Sequence, residues 1–211
     1  MKRLSVFGAS GRTGLLLVNI AVERGHAVTA FCRNESDRQY LPENVACVVG
    51  DILNKEHLDR AVAGAEVVIC AFGPREPYKD VFCAEATRLI IESMKKHDVD
   101  RLLCITNVLA GDCSKNRSRF IRTMARLARL LRAAVAADRD GQERQVEESG
   151  LNWTIVKPSE LMNENEKNRF VHGEDLMIDA YSRISRYHLS TFLLDHLEVD
   201  KYPRKKVVLR Y

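Results

Sequence analysis

The chain opens on a segment that leaves few folding options. Leu4-Ser5-Val6-Phe7 is a short apolar run, Gly8-Ala9-Ser10-Gly11-Arg12-Thr13-Gly14 is a turn with three evenly spaced glycines, and Leu15 to Val22 has helical apolar spacing. A strand, a glycine turn and a helix in immediate succession place the helix N-terminus against the end of the strand. There the free N–H groups and the positive dipole end make an anion site. Gly8 allows the tight turn, Gly11 lets backbone approach a pyrophosphate, and Gly14 lets the helix pack closely. The spacing is G-x-x-G-x-x-G rather than G-x-G-x-x-G, and its position between the first strand and the first helix gives it weight.

The rest of the chain repeats this alternation. Ala27 to Cys32, Val45 to Val49, Glu66 to Ala71, Arg101 to Ile105 and Trp153 to Lys157 read as strands. Thr13 to Arg24, Glu56 to Ala63 and Tyr78 to Lys96 read as helices. Continuous apolar strands separated by helices predict a parallel sheet covered on both faces, an α/β doubly wound class in a single domain over 1–211. The segments 110–148 and 158–183 are expected to form the substrate side. Within the first, Arg119, Arg122, Arg126 and Arg129 recur on one helix face and Phe120, Met124, Leu127 and Leu131 on another. That pattern predicts an amphipathic helix with a solvated arginine face over a buried apolar stripe, or else an anion-attracting wall.

At 45% hydrophobic and 29% charged residues the composition is that of a globular domain. With 33 Lys and Arg against 29 Asp and Glu, the net charge of +4 calls for no nucleic-acid partner. No apolar run is long enough to span a membrane and no signal-like segment leads the chain, so the expectation is a cytoplasmic protein without a membrane partner. The six cysteines include no C-x-x-C pair and read as packing residues. The histidines lack ligand spacing, so no metal is expected.

The residue after the second strand bears on the kind of dinucleotide. NAD binders place an acid about 20 positions beyond the glycines, whereas Arg33 stands there, and a guanidinium holds a 2′-phosphate that a carboxylate would repel. The expected cofactor is NADP(H), with Arg12 and Arg38 as further candidates for the same pocket. Asp51 is a candidate for the adenine amino group or, alternatively, a helix N-cap.

With these residues the chain resembles the atypical short-chain dehydrogenase/reductases, in particular the NmrA-like and flavin reductase (biliverdin-IXβ reductase) branch. The likeness rests on Gly8 to Gly14, Arg33, Gly50-Asp51-Ile52, Ala71-Phe72-Gly73, Cys104-Ile105-Thr106-Asn107, Glu148 to Pro158 and Ile184-Ser185-Arg186. Lys157 stands where that branch usually has Arg. The resemblance implies a Rossmann-type sheet of strand order 3-2-1-4-5-6-7 in a monomer or weak homodimer. It also implies that Gly8, Ser10, Gly11, Arg12 and Thr13 cradle the phosphates, Arg33 holds the 2′-phosphate, and Asp51 and Ile52 flank adenine. Phe72, Gly73, Thr106, Lys157, Pro158 and Leu161 are then expected around the nicotinamide side.

The better-known branch of this superfamily uses a Tyr-x-x-x-Lys pair. Four residues after Tyr40, Tyr78, Tyr181 and Tyr187 stand Asn44, Phe82, Ser185 and Thr191, and such a pair is therefore expected to be missing. Hydride transfer to a flavin, quinone or tetrapyrrole acceptor needs no such pair, because the proton can come from water. Thr106 and Asn107 are the expected catalytic groups, and Cys113, Lys115, Arg119 and Arg122 are weaker substrate candidates. The alternatives are an NADP-binding redox sensor without turnover, and a biosynthetic enzyme whose anionic substrate is held by Arg119, Arg122 and Arg126 in an enclosed basic pocket.

Overall fold

The structure, a computed structural model, describes residues 1–74, 81–111, 116–163, 169–197 and 201–211. Its sheet is built on β1 (Arg3–Phe7), which lies parallel to β2 (Ala27–Cys32) on one side and to β4 (Val67–Cys70) on the other. Beyond β2 comes β3 (Ala46–Val49); beyond β4 come β5 (Arg101–Ile105), β6 (Asn152–Pro158) and β10 (Lys205–Arg210), all parallel. That is the expected order of seven strands, with β10 as the seventh. One further edge strand, β8 (Val171–Gly173), runs antiparallel to β10, while β7 (Glu160–Met162) and β9 (Arg183–Ser185) form a separate parallel pair.

The strands are apolar throughout because both faces are covered. On one face α1 (Arg12–Glu23) and α6 (Arg186–Asp195) bury Leu17, Val18, Leu189 and Phe192 against Val6, Ala30 and Val156. On the other, α2 (Lys55–Val62), α3 (Cys83–Lys96) and α5 (Ala133–Glu147) bury Leu58, Ile90, Met94 and Val146 against Phe7, Val68 and Ile155. Cys32, Cys70 and Cys104 are buried thiols in these layers and Cys47 is half-buried. Burial pushes the Cys32 thiol up to about 12.

The amphipathic helix expected within 110–148 is present, and one expectation about it is corrected. The segment holds two helices, α4 (Arg119–Leu131) and α5, with Arg132 between them at φ −133° and ψ 49°. The apolar stripe of α4 is not buried: Phe120, Met124, Leu127 and Leu131 all face outward, and the helix rests on the protein through Ala125, a residue small enough for close approach. Asp51 is likewise not a helix N-cap. Asn54 caps α2, accepting from the N–H groups of Glu56 and His57, while Asp51 Oδ1 accepts from Leu53 N at 2.9 Å in a turn of its own.

The glycine turn depends on missing side chains. Gly8 has φ +84°, and a Cβ there would stand 2.8 Å from the Ala71 carbonyl carbon and the Phe72 nitrogen. A Cβ on Gly14 would stand 2.0 Å from the Gly8 carbonyl oxygen. Both neighbours are backbone and cannot rotate away. Gly14→Ala is therefore expected to lower stability by about 1–3 kcal/mol, the usual cost of overpacking, and to depress the melting temperature measured by circular dichroism.

Candidate functional site

The carboxyl ends of β1 to β4 open onto a cleft of about 860 Å3, lined at one end by Phe31, Arg33, Asp51 and Ile52, in the middle by Gly8, Ser10 and Gly11, and at the other by Phe72, Gly73 and Phe82. This is where an open parallel sheet collects ligands. Among the described residues four helices are closed at the N-terminus by a side chain, α4 by Ser118, whose Oγ accepts from Ile121 N at 3.3 Å. Asn54 caps α2, Ser185 caps α6, and the Asp138 carboxylate accepts from the N–H groups of Phe82, Cys83 and Ala84 at α3. At α1, whose start lines the cleft, the N-cap is Gly11, no side chain caps it, and its first turn holds no acid. Its donors and its dipole thus remain for an anion.

A residue that the sequence reading did not assign joins this end of the molecule. Arg186 begins α6, donates to Asn163 Oδ1 at 2.6 Å and to the Leu161 carbonyl at 3.3 Å, and buries its Nε with no protein partner. Burial and then the neighbouring Arg12 hold its guanidinium below the usual arginine value. Two like charges beside an uncapped helix start are an arrangement that an anion relieves. The signal for Arg186 lay only in the Ile184-Ser185-Arg186 likeness, because nothing in the spacing ties it to residue 12.

Arg33 is exposed and lines the cleft; Arg38 does not, and lies 3.6 Å from Glu35. Pro158 and Leu161 stand at the end of β6 and in β7, outside the lining of the cleft. Leu161 packs on the core beside α1 and α6.

Beyond Gly73 a second hollow of about 320 Å3 continues from the cleft, lined by Pro74, Asn107, Leu109, Val135 and Ala136 together with Arg129, Arg132 and Arg139. Asn107 Oδ1 accepts from Leu109 N at 2.8 Å and Ala110 N at 2.9 Å, which leaves its amide N–H groups as the donors this side chain brings to the hollow. Arg139 donates to Gln142 Oε1 at 2.7 Å and to the Phe72 carbonyl at 3.4 Å, fixing the floor beneath Gly73.

Thr106 and Lys157 depart from expectation. The Thr106 hydroxyl is 3% exposed and donates to Glu143 Oε1 at 2.8 Å. Lys157 is fully buried, and its ammonium donates to the same oxygen at 2.5 Å and to the Ala110 carbonyl at 2.7 Å. Lys206 lies 3.1 Å from Glu143 Oε2. Burial alone would raise the Glu143 carboxyl, but Lys157, Thr106 and Lys206 outweigh it and hold it below the usual carboxylate range. These groups form a buried strut from β5, β6 and β10 to α5, turned away from the cleft.

The Tyr-x-x-x-Lys expectation also needs correction. Tyr202 and Lys206 do stand four apart. The Tyr202 hydroxyl bonds His172 Nδ1 at 2.8 Å among Phe192 and His196 on the α6 face, whereas Lys206 pairs with Glu143 and Glu147 on the α5 face. The sheet separates them, so the spacing makes no catalytic pair.

Of the weaker substrate candidates, Cys113 and Lys115 lie outside the described residues. Arg119 is exposed on α4 and lines neither hollow. Arg122 and Arg126 line a third cleft of about 500 Å3, with Arg117, Arg129, Arg144 and Lys206 but also Asp140, Glu143 and Glu147. That cleft is a mixed-charge surface rather than the enclosed basic pocket that an anionic biosynthetic substrate would need.

A family model described as NAD(P)H-binding matches residues 8–200. The uncharacterized protein YwnB of Bacillus subtilis is 25% identical over 97% of this chain and 96% of its own length. Two solved structures share the fold at 18% identity. One is a short-chain dehydrogenase/reductase of Veillonella parvula in complex with NADP (TM-score 0.81, covering 99% of this chain and 94% of that one). The other is ChuY, an anaerobilin reductase of Escherichia coli O157:H7 (TM-score 0.80, 98% and 96%).

The buried strut yields a measurable expectation. Glu143→Gln leaves the Lys157 charge sealed without its counter-charge and should cost about 3–5 kcal/mol in urea unfolding. Pairing it with Lys157→Met should recover much of that loss. Because the folded carboxyl titrates below its unfolded value, the wild-type contribution is full above about pH 4.3 and is lost as pH falls through the folded value. The acid limb of the stability profile should therefore flatten in the double variant.

Proposed function

Because the chain belongs to the NAD(P)H-binding family, we propose that it is an NADPH-dependent reductase that passes hydride to a conjugated acceptor of the flavin, quinone or tetrapyrrole type. The observation that carries this reading is one continuous cleft that joins the side-chain-free turn at Gly8 and Gly11 to Arg33 in one direction and to Gly73 in the other. The residues fit the cofactor: the α1 start is uncapped, Arg12 and Arg186 crowd beside it, and an arginine rather than an acid follows β2.

In this reading Gly8, Ser10, Gly11, Thr13 and Gly14 shape the pyrophosphate seat, with Arg12 and Arg186 neutralising its charge. Arg33 takes the 2′-phosphate, and Asp51 and Ile52 border adenine. Phe72, stacked on Phe82 with ring centroids 5.9 Å apart, walls the passage to the acceptor hollow. When bound, the cofactor supplies the hydride. Asn107 donates its amide N–H to the acceptor oxygen that gains negative charge, the stabilisation that counts most at such a site. Arg129, Arg132 and Arg139 favour an acceptor with acidic groups, and Leu109, Val135 and Ala136 favour a flat apolar body. Among the described residues lining the hollow none gives up a proton readily at neutral pH, so the proton comes from water, which suits a conjugated acceptor and not a simple ketone. The likeness to ChuY, an anaerobilin reductase, and to the Veillonella protein that holds NADP supports the same assignment.

The inward-turned Thr106 hydroxyl favours one other reading, a sensor that binds NADP(H) without turnover. Pure protein mixed with NADPH and a panel of flavins, quinones and biliverdin separates the two. Oxidation of NADPH above background supports the reductase, and micromolar NADPH binding with no acceptor reduced supports the sensor. Arg33→Ala should weaken NADPH binding roughly 10- to 100-fold, the value of hydrogen bonds to a charged group, and leave NADH nearly unchanged. Equal losses for both would remove Arg33 from the 2′-phosphate.

A further inference from the structure

Helix α4 carries the largest gathering of exposed apolar side chains on the described surface. Phe120, Met124, Leu127 and Leu131 are 60%, 49%, 52% and 75% exposed, and Leu130 is 81% exposed. The helix touches the protein along another edge, where Ala125 is 2% exposed and Arg129 holds Asp140 at 2.9 Å. At 3.6 residues per turn the four-residue stripe covers only about 60° of the helix, with Arg119 roughly 110° to one side of its centre, Arg126 farther round on that side and Arg122 on the opposite face, while the exposed Arg132 stands just past the last turn. Between Asp112 and Asp138 the sequence contains no Asp or Glu.

We propose that α4 is a docking surface for an anionic lipid bilayer, lying in the interface with Phe120, Met124, Leu127 and Leu131 in the acyl boundary and Arg119 and Arg126 reaching phosphate headgroups. An apolar stripe flanked by cations and free of acids is the pattern of helices that lie on membranes. Arginine stems are long enough to cover apolar surface while their heads stay among the phosphates. Charge decides between occupants. The carboxylates near α4, Asp140, Glu143 and Glu147, stand on its protein side, so a second copy docking on the stripe would set arginines against arginines, whereas anionic headgroups neutralise them. Leu130 stands about 90° from the stripe centre, which makes the apolar surface broader than a single groove in a protein partner would cover; a fluid interface accommodates that breadth.

The surface is independent of the reductase reading, because vesicle binding requires neither cofactor nor turnover. It amends the expectation of no membrane partner, which rested on the missing spanning run; an interfacial helix needs no span. The test is co-sedimentation of the full chain with vesicles of phosphatidylglycerol mixed with phosphatidylcholine, and with phosphatidylcholine alone. The protein should pellet with the first and stay in solution with the second, and about 0.5 M salt should reverse much of the binding. Phe120→Ser with Leu127→Ser, and separately Arg119→Gln with Arg126→Gln, should each lower partitioning roughly tenfold or more, with the circular dichroism spectrum unchanged. No pelleting with anionic vesicles, or pelleting that neither variant reduces, overturns the proposal. A concentration-dependent dimer abolished by the same variants, without vesicle binding, would assign the face to a second copy instead.

Discussion

The contact on which the other features of the molecule rest is the one between the Gly8 carbonyl and the first turn of α1. It leaves no room for a side chain on Gly14, and Gly8 in turn lies against the Ala71 and Phe72 backbone at the end of β4. Three backbone segments therefore meet without an intervening side chain, and their meeting point fixes where the α1 start lies relative to the strand ends. Arg24 at the end of α1 pairs with Asp195 at the end of α6, and Arg12 at the start of α1 is felt by Arg186 at the start of α6. The two helices thus run side by side in the same direction and bring both positive ends to one edge of the sheet.

On the opposite face a different device fastens the structure. A buried ion pair is weak evidence of stability, since hydrophobic groups of the same volume often do as well. Here Glu143 reaches partners on three strand segments at once, Thr106, Lys157 and Lys206, and so sets the height of α5 over the sheet. That height matters to the site, because α5 also carries Asp138, which closes the α3 start, and Arg139, which supports Phe72. The strut and the cleft are separate in chemistry and coupled in position.

Much of this was legible in the sequence, for a reason that particular residues make plain. The strands could be read because continuous runs such as Val67–Cys70 have only one use in a chain of this size, and the glycine turn because its requirement is local. What failed were inferences that periodicity cannot support. The stripe Phe120, Met124, Leu127 and Leu131 establishes that α4 has two unlike faces, but not which one meets the protein; Ala125 decided that. Tyr202 and Lys206 have the spacing of a catalytic pair, yet that spacing acquires meaning only on a helix. Here the chain passes through Pro203 and Arg204, the latter at φ +54°, before β10 begins, and the two side chains end on opposite faces of the sheet. Glu143 had no signal at all, because its partners lie 37, 14 and 63 positions away.

The two ends of the cleft differ in the same way. At the Gly8 turn, the pyrophosphate seat of the proposed reading, the groups offered to the cleft are backbone, and their positions follow from where glycine stands. In the hollow beyond Gly73, the acceptor side of the proposed reading, the polar groups are the side chains of Asn107, Arg129, Arg132 and Arg139, drawn from the loop after β5, from α4, from the break after α4 and from α5. They come from four separate segments, none of them part of the turn at Gly8, so each can change without disturbing it. In the proposed reading, selectivity for the acceptor is therefore free to vary on a fixed cofactor seat, since function on a shared fold lives in the side chains grafted onto it.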